Sequence, residues 1–355
     1  MPSSKNQVVV ACAGSGKTTS LVEGAIQVTA KRVLITTYTL ENTAIIKQFL
    51  IDKCGCIPAN ITVMSWFSFL LQDCVRPYQN HLVAKRVQSI FFQEARTKFQ
   101  KQADYLTKAS NIYSHKVSQF AVDCNKNNGG LVIGRLEKIY DYVFVDELQD
   151  LAAYDLNLLE ELFSSNIAIN LVADPRQGTF STNNSLKNKQ YRKSNIYSWL
   201  KGKEKKGIIT IVENSDCWRC NQKICDLADG LFPEYPKTTS LNKDTTGHDG
   251  IFFVPPKDVE NYFKKYSPSV LRYSKTAKTM NLPATNFGGS KGKTYDRVLI
   301  YPTKPMLEYL KTKDLSKAGD KSKFYVAITR AKHSVAFVVD KPESFTYDVP
   351  TLFTQ

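Results

Sequence analysis

Close to its start the chain reads Val8-Val9-Val10-Ala11, then Cys12-Ala13-Gly14-Ser15-Gly16, then Lys17-Thr18-Thr19-Ser20-Leu21-Val22. An apolar strand pattern, a loop of small residues and the start of a helix follow one another without a spacer. No other stretch constrains the fold as tightly, because strand, loop and helix in this register form the phosphate-binding unit of an α/β protein. The loop also prescribes chemistry. Gly14 and Gly16 allow backbone N–H groups to turn inward around phosphate oxygens. Lys17 reaches the β- and γ-phosphates, and the Thr18 hydroxyl suits Mg2+. Ala13, Ser15 and Thr19 line the same loop and first helical turn, whose positive end faces the anion. The usual pattern G-x-x-x-x-G-K-[ST] has glycine where this chain has Ala11, a position that asks only for a small side chain.

A phosphate loop needs a second acidic site, at the tip of another buried strand, to hold magnesium and prepare water. Tyr142-Val143-Phe144-Val145 reads as that strand, and Asp146-Glu147 stand at its end. Asp146 is expected to hold Mg2+ through water, and Glu147 to orient and deprotonate the attacking water. A plain acidic helix cap would leave the following Gln149-Asp150 pair unexplained.

A length of 355 residues fits two globular units better than one core. The formal net charge of +15 favours a polyanionic partner, nucleic acid before a membrane. No apolar run approaches the ~20 residues of a membrane helix, and the start lacks the apolar core of a signal peptide. The eight cysteines form no regular framework, so a reducing, cytoplasmic setting is expected.

Ala11-x-Ala13-Gly14-Ser15-Gly16-Lys17-Thr18 paired with Asp146-Glu147-x-Gln149-Asp150 resembles the superfamily 1A helicases of the UvrD/Rep/PcrA family. The resemblance extends in family order over nearly the whole chain. Thr37-Tyr38-Thr39 is similar to motif Ia, and Val63–Phe69 to motif Ib, with Phe67 replacing the usual histidine. Leu171–Phe180 resembles motif III, Glu213–Asp229 motif IV, Gly288–Thr303 motif V and Lys323–Val339 motif VI. The resemblance implies ATP as the nucleotide, Gln177 as the γ-phosphate sensor, and Arg219 and Arg330 as two arginine fingers. Two guanidinium groups suit a transition state whose charge spreads over the γ-phosphoryl oxygens. It also implies DNA contacts from Thr37, Tyr38, Thr39, Ser65 and Trp66, with bases stacking on Tyr38 or Trp66.

The chain departs from the family in places. Gln7 is too close to the loop to be the upstream glutamine that reads adenine. Gly288 and Thr294 replace a histidine and a glutamate of motif V, and Ser181-Thr182-Asn183 replace the Arg-Gly-Ala tail of motif III. Ser274–Asn286 leaves no room for the large 2B insertion.

Between the motifs, Val83, Val87, Ile90 and Phe91 recur at helical spacing, which predicts a helix over Val83–Gln100. It lies in a helical insertion at about 73–130 that ends in the loop Asn125–Gly130. The basic stretch Leu186–Lys206, with Tyr191, Tyr197 and Trp199, suits a nucleic-acid face and equally a solvated loop. Farther on, Ile251–Val254 and Ser269–Ser274 read as strands flanking a helix over Asp258–Tyr266. Cys217, Cys220 and Cys225 lack an evident fourth metal ligand, and with Cys54 and Cys56 they read as free thiols.

The expected architecture is two RecA-like parallel α/β lobes of the P-loop NTPase class. Lobe 1A spans 1–180 with a small helical 1B-like insertion, lobe 2A spans 181–355, and ATP and Mg2+ are expected between them. The expected activity is ATP-dependent movement 3′–5′ on single-stranded DNA, or unwinding of a tailed duplex. The rival is a DNA-sensing NTPase subunit that regulates a partner nuclease without unwinding, as small relatives do in anti-phage systems.

Overall fold

The computed structural model describes residues 5–92, 105–342, 345 and 351–352. The chain divides into two compact units. The first comprises residues up to Val10, Lys17–Pro175 and Phe180–Glu213, and the second Ala11–Gly16, Arg176–Thr179 and Asn214 onward.

In the first unit the strands are β1 (Gln7–Ala11), β2 (Val33–Thr37), β3 (Ile61–Ser65), β4 (Tyr142–Val145), β5 (Ala168–Ala173) and β6 (Thr210–Asn214). They lie in the order β3-β2-β4-β5-β1-β6, and the pairings among β1 to β5 are all parallel. Near-continuous apolar strands such as Val33–Thr37, buried at every position, are what a parallel sheet covered on both faces requires. Helices α1 (Lys17–Gln27) and α2 (Leu40–Cys54) supply part of that cover. Leu21, Val22 and Ala25 of α1 and Ile46 and Leu50 of α2 pack on Val33, Ile35, Ile61, Phe144 and Val172. Thr39 caps α2 by accepting from Asn42 N–H at 3.1 Å, and Gly55 ends it at φ 76°. Because the strands run parallel, the ends of β1 and β4 face the same edge of the sheet, with β5 between them. Carboxyl ends of strands are where α/β sheets bind ligands.

Further along lie α3 (Val117–Asn127), α4 (Leu131–Ile139), α5 (Tyr154–Ser164) and α6 (Ile196–Lys205). The turn after α3 uses Gly129 and Gly130 at φ 67° and 90°, as the predicted loop demands. The helix predicted over Val83–Gln100 does not form in its described part, 83–92, and residues 93–100 lie outside the described residues. Side chains hold that backbone open instead. Gln79 accepts from Val87 N–H at 2.9 Å, Arg76 donates to Val87 O at 3.3 Å, and Ile90–Phe91 pairs with Ile112–Tyr113. Only Val87 of the apolar set is fully buried, so the helical spacing never meets a core.

The sequence places the lobe boundary after residue 180, whereas Phe180–Glu213 packs with the first unit. Trp199 explains why: its ring lies 6.0 Å from that of Phe163 and its Nε1 donates to Glu160 at 3.2 Å. Trp199 is therefore a core residue and not part of a nucleic-acid face.

The second unit contains β7 (Gly250–Val254), β8 (Ser269–Arg272), β9 (Ala284–Asn286), β10 (Tyr295–Tyr301), β11 (Ala331–Val338) and β12 (Thr351–Leu352). Their order is β9-β8-β10-β11-β7-β12, again parallel. Helices α7 (Gln222–Asp229), α8 (Val259–Tyr266), α9 (Lys304–Thr312) and α10 (Lys321–Ile328) accompany them. Val259 and Tyr262 of α8 pack on Phe252, Val254, Val270, Leu299 and Ala336.

His248 is stacked between Phe252 and Tyr266, with ring centroids 3.9 and 3.7 Å away, and its Nε2 lies 2.9 Å from Tyr262 Oη. Burial first, then the positive charge of Arg297, holds its imidazole down at about 4. The unfolded value is about 6.5, so only the unfolded chain takes the proton between those values. Stability is whole above about pH 6.5 and is lost as pH falls towards 4. We expect the fall in melting temperature between pH 7.5 and 5 to shrink in His248→Phe; an unchanged fall would remove His248 from the acid response.

Candidate nucleotide site

The phosphate loop closes as its glycines require. Gly14 and Gly16 both stand at φ 77°, the left-handed region that costs other residues about 1 kcal/mol or more. Ser15 N–H donates to Cys12 O at 3.3 Å, and helix α1 begins at Lys17. Gly14 has a second reason to lack a side chain. A Cβ there would meet Arg219 Cβ at 2.6 Å and Cys217 Sγ at 3.0 Å. The Gly14 carbonyl accepts from Trp218 N–H at 2.9 Å, and Ala13 N–H donates to Tyr325 Oη at 3.2 Å.

The carboxylates sit where β4 ends. Thr18 Oγ1 donates to Asp146 Oδ2 at 2.8 Å, and Glu147 N–H donates to Asp146 Oδ1 at 2.9 Å. Burial and the neighbouring Glu147 charge push the Asp146 carboxyl up, against the pull of Lys17 and Thr18. Hydroxyl and carboxylate oxygens touching at a buried point are a donor set that fits Mg2+, which takes few protein ligands and keeps waters. Glu147 turns through a left-handed φ of 57° and accepts a hydrogen bond from Gln149 Nε2. The Gln149 Oε1 in turn accepts from Asp174 N–H at 3.1 Å. Gln149 thus positions Glu147 against the end of β5, a role that its place in the motif hints at but does not specify.

Arg330 is buried, and several neutral oxygens accept from it. It reaches Val326 O at 3.2 Å, Lys293 O at 3.2 Å, Gln177 Oε1 at 3.1 Å and Thr329 Oγ1 at 3.4 Å. Three stretches far apart in sequence therefore meet on one guanidinium. Arg219, half-buried, donates to Thr329 O at 3.1 Å, which brings the two arginines to one residue. Sequence reasoning missed Arg176. It is buried between the rings of Tyr235 and Tyr325, at 5.2 and 5.3 Å, and lies 3.7 Å from Asp229. Its position beside Gln177 was the available signal.

The residues predicted to contact DNA divide. Tyr38 is half-buried, its ring 5.9 Å from Phe67 and 6.5 Å from Phe180. Thr39 and Ser65 are helix caps, Ser65 accepting from Ser68 N–H at 3.2 Å. Thr37 is buried, with its hydroxyl lacking a hydrogen bond within the protein. Trp66 corrects the expectation: it is fully buried and its Nε1 donates to Asp155 Oδ1 at 2.8 Å, so no base can stack on it. Asp155, its carboxyl raised by burial, also accepts from Thr182 Oγ1 and from Ala152 N–H at 3.1 Å. The exposed aromatic there is Phe92, edge-on to Phe67 at 5.4 Å.

All eight cysteines are free. Cys12 completes a buried group with Cys217, Cys220 and Cys225 that the spacing alone does not reveal. Among the described residues no group of three or more His, Cys, Asp or Glu is disposed to hold a metal ion. Cys12 Sγ faces Asp216 O, Cys220 Sγ faces Thr329 O and Cys225 Sγ faces Cys220 O, and all three thiols also hydrogen-bond Cys217.

The sequence profile of the viral superfamily 1 RNA helicase core domain matches residues 132–339, more than half of the chain. The chain belongs to that family. The match names the viral branch, and the finer UvrD/Rep/PcrA assignment does not follow from it. No curated protein matches this helicase core in sequence. Among solved structures, the arterivirus nonstructural protein 10 helicase is similar at 15% identity and a TM-score of 0.51, over 97% of this chain and 63% of that one. That likeness shows the two-unit α/β helicase fold. The same arterivirus protein in complex with DNA gives 16% identity and a TM-score of 0.49, over 96% of this chain and 62% of the other. The PRRSV helicase gives 17% and 0.48, over 98% and 55%. This chain thus spans less than two thirds of the length of each. No described helix is long and apolar enough to cross a membrane.

The two loop glycines separate conformational strain from crowding. Gly16→Ala, with nothing within 4 Å of its new Cβ, should cost about 1 kcal/mol of stability. Gly14→Ala should cost clearly more. Equal losses in nucleotide-free thermal melts would mean that the close approach of Arg219 carries no weight.

Proposed function

We propose that this helicase core is an ATP-dependent translocase on single-stranded nucleic acid. The observation that carries the reading is the Arg330–Gln177 hydrogen bond at 3.1 Å, which joins a candidate finger to a candidate phosphate sensor. In this reading Lys17 and the backbone N–H groups of Ala13–Thr19 hold the β- and γ-phosphates. Thr18 and Asp146 hold Mg2+, which when bound neutralises charge on the phosphate oxygens. Glu147, steadied by Gln149, takes the proton of the attacking water. Arg219 and Arg330 spread the developing negative charge, and Gln177 reports whether the γ-phosphate is present.

The nucleic-acid path in this reading crosses Tyr38, Thr39 and the Phe67–Phe92 pair, where bases stack and the net positive charge holds the backbone. In this reading single-stranded or tailed DNA is the substrate, and RNA is the comparison the family name calls for.

Steady-state hydrolysis by the whole chain, with and without single-stranded DNA or RNA, tests the reading. Nucleic acid should stimulate turnover, and Lys17→Ala should abolish it. Glu147→Gln should still bind ATP while hydrolysing it at least about a hundredfold more slowly; normal turnover in that variant would dismiss Glu147 as the base. Stimulated hydrolysis without strand separation would make the protein a sensor instead of a motor.

Direction tests the UvrD-like resemblance separately. Displacement of streptavidin from a 3′-biotinylated or a 5′-biotinylated oligonucleotide reports which end the motor reaches. A 3′–5′ motor clears the 5′ end preferentially; preferential clearance of the 3′ end would reverse the polarity.

A further inference from the structure

A second buried guanidinium stands next to Gln177 in the sequence. Arg176 is 4% exposed. Its Cζ lies 5.2 Å from the centre of the Tyr235 ring and 5.3 Å from that of Tyr325, where a cation is attracted to aromatic faces. Its Nη1 lies 3.7 Å from Asp229 Oδ1. Asp229 has partners of its own in Thr238, whose N–H and Oγ1 donate to it at 2.6 and 2.8 Å. A buried ion pair returns little net stability, and an apolar side chain of similar volume often fills such a space at no greater cost. Stability alone therefore does not account for a charge at 176.

The guanidinium covers the ring of Tyr325, which is itself buried and has Phe232 edge-on at 5.7 Å. Tyr325 Oη accepts from Ala13 N–H of the phosphate loop at 3.2 Å. Just past the end of the same helix, α10, Arg330 donates to Gln177 Oε1 at 3.1 Å. The consecutive residues Arg176 and Gln177 thus hold α10 and its end at two points, Tyr325 and Arg330. A planar guanidinium stacked on a ring resists tilting of that ring in a way that a flexible ammonium does not. We propose that Arg176 is a positioning residue for the phosphate loop. Through the Tyr325 ring it keeps the hydroxyl on Ala13 N–H, and so couples the loop to the segment that carries Gln177. Movement of either one reaches the other through a single side chain. The clasp stands on this geometry; that the loop it steadies binds nucleotide rests on the NTPase reading above.

Amide hydrogen exchange of the nucleotide-free whole chain, read on the peptide that carries residues 12–16, tests the clasp. Titration with a fluorescent ADP analogue and Mg2+ tests its consequence. Tyr325→Phe removes the hydroxyl and keeps the ring. Arg176→Met removes the charge and keeps a long side chain, and Arg176→Gln replaces it where the Met variant does not fold. Each change should raise exchange in the loop peptide and lower nucleotide affinity about threefold to tenfold, the worth of one hydrogen bond. Because both act through one ring, the double variant should bind no more weakly than the weaker single variant. Losses that add, affinity unchanged in both variants, or a loop peptide that stays protected without Arg176 would each overturn the proposal. So would exchange that rises equally in β7 and β11, the mark of a general loosening. A wild-type chain that binds no nucleotide, with loop exchange still raised in both variants, would overturn the NTPase reading and leave the clasp standing.

Discussion

The buried guanidinium of Arg330 is the constraint on which much of the second unit depends. A charge taken out of water is costly unless its donors are satisfied, and here neutral oxygens from Val326, Lys293, Gln177 and Thr329 take that role. Those acceptors come from the helix before Arg330, from the loop before β10 and from the segment after β5. A guanidinium has a rigid planar fork, so these elements cannot shift independently without leaving a donor unpaired. Packing that satisfies the charge also sets the register of the elements around it. In the proposed function the same group meets phosphoryl charge, so that stability and chemistry would share one side chain.

A similar economy operates at the carboxylates. Asp146 is held by a hydroxyl and a peptide N–H, and Glu147 by an amide that is itself held by the backbone of Asp174. Each carboxylate has a hydrogen-bond partner that fixes its orientation. Burial raises the cost of ionising Asp146, and a divalent cation reverses that balance.

The parts of the site that were legible in the sequence share a property: their chemistry and their local backbone are encoded within a few residues. The phosphate loop needs two glycines at positive φ next to Lys-Thr, and Gly14 and Gly16 supply them. The tip of β4 needs a short apolar run followed by acids. Trp66 and the Val83–Gln100 stretch failed for the opposite reason. An indole can be a stacking platform or a core residue, and only the buried Asp155 decides for the core. A helical repeat needs an apolar surface to pack on, and the described part of 83–92 is held by side chains of Arg76 and Gln79 instead.

By itself, the sequence determined the class of fold, the glycine turn before Lys17, the acidic pair at the end of β4 and the superfamily 1 helicase character of the core. These follow from periodicity and from spacings of a few residues, which the backbone imposes locally. The tertiary structure alone decided that Gln177, Lys293 and Thr329 meet on Arg330, that Gln149 steadies Glu147, and that Cys12 lies beside Cys217. It also decided that Phe180–Glu213 belongs with the first unit. The contacts of Gln177 and Lys293 with Arg330 join residues 153 and 37 positions apart, and even the local Gln149–Glu147 contact is fixed by the distant backbone of Asp174. No local pattern carries that information.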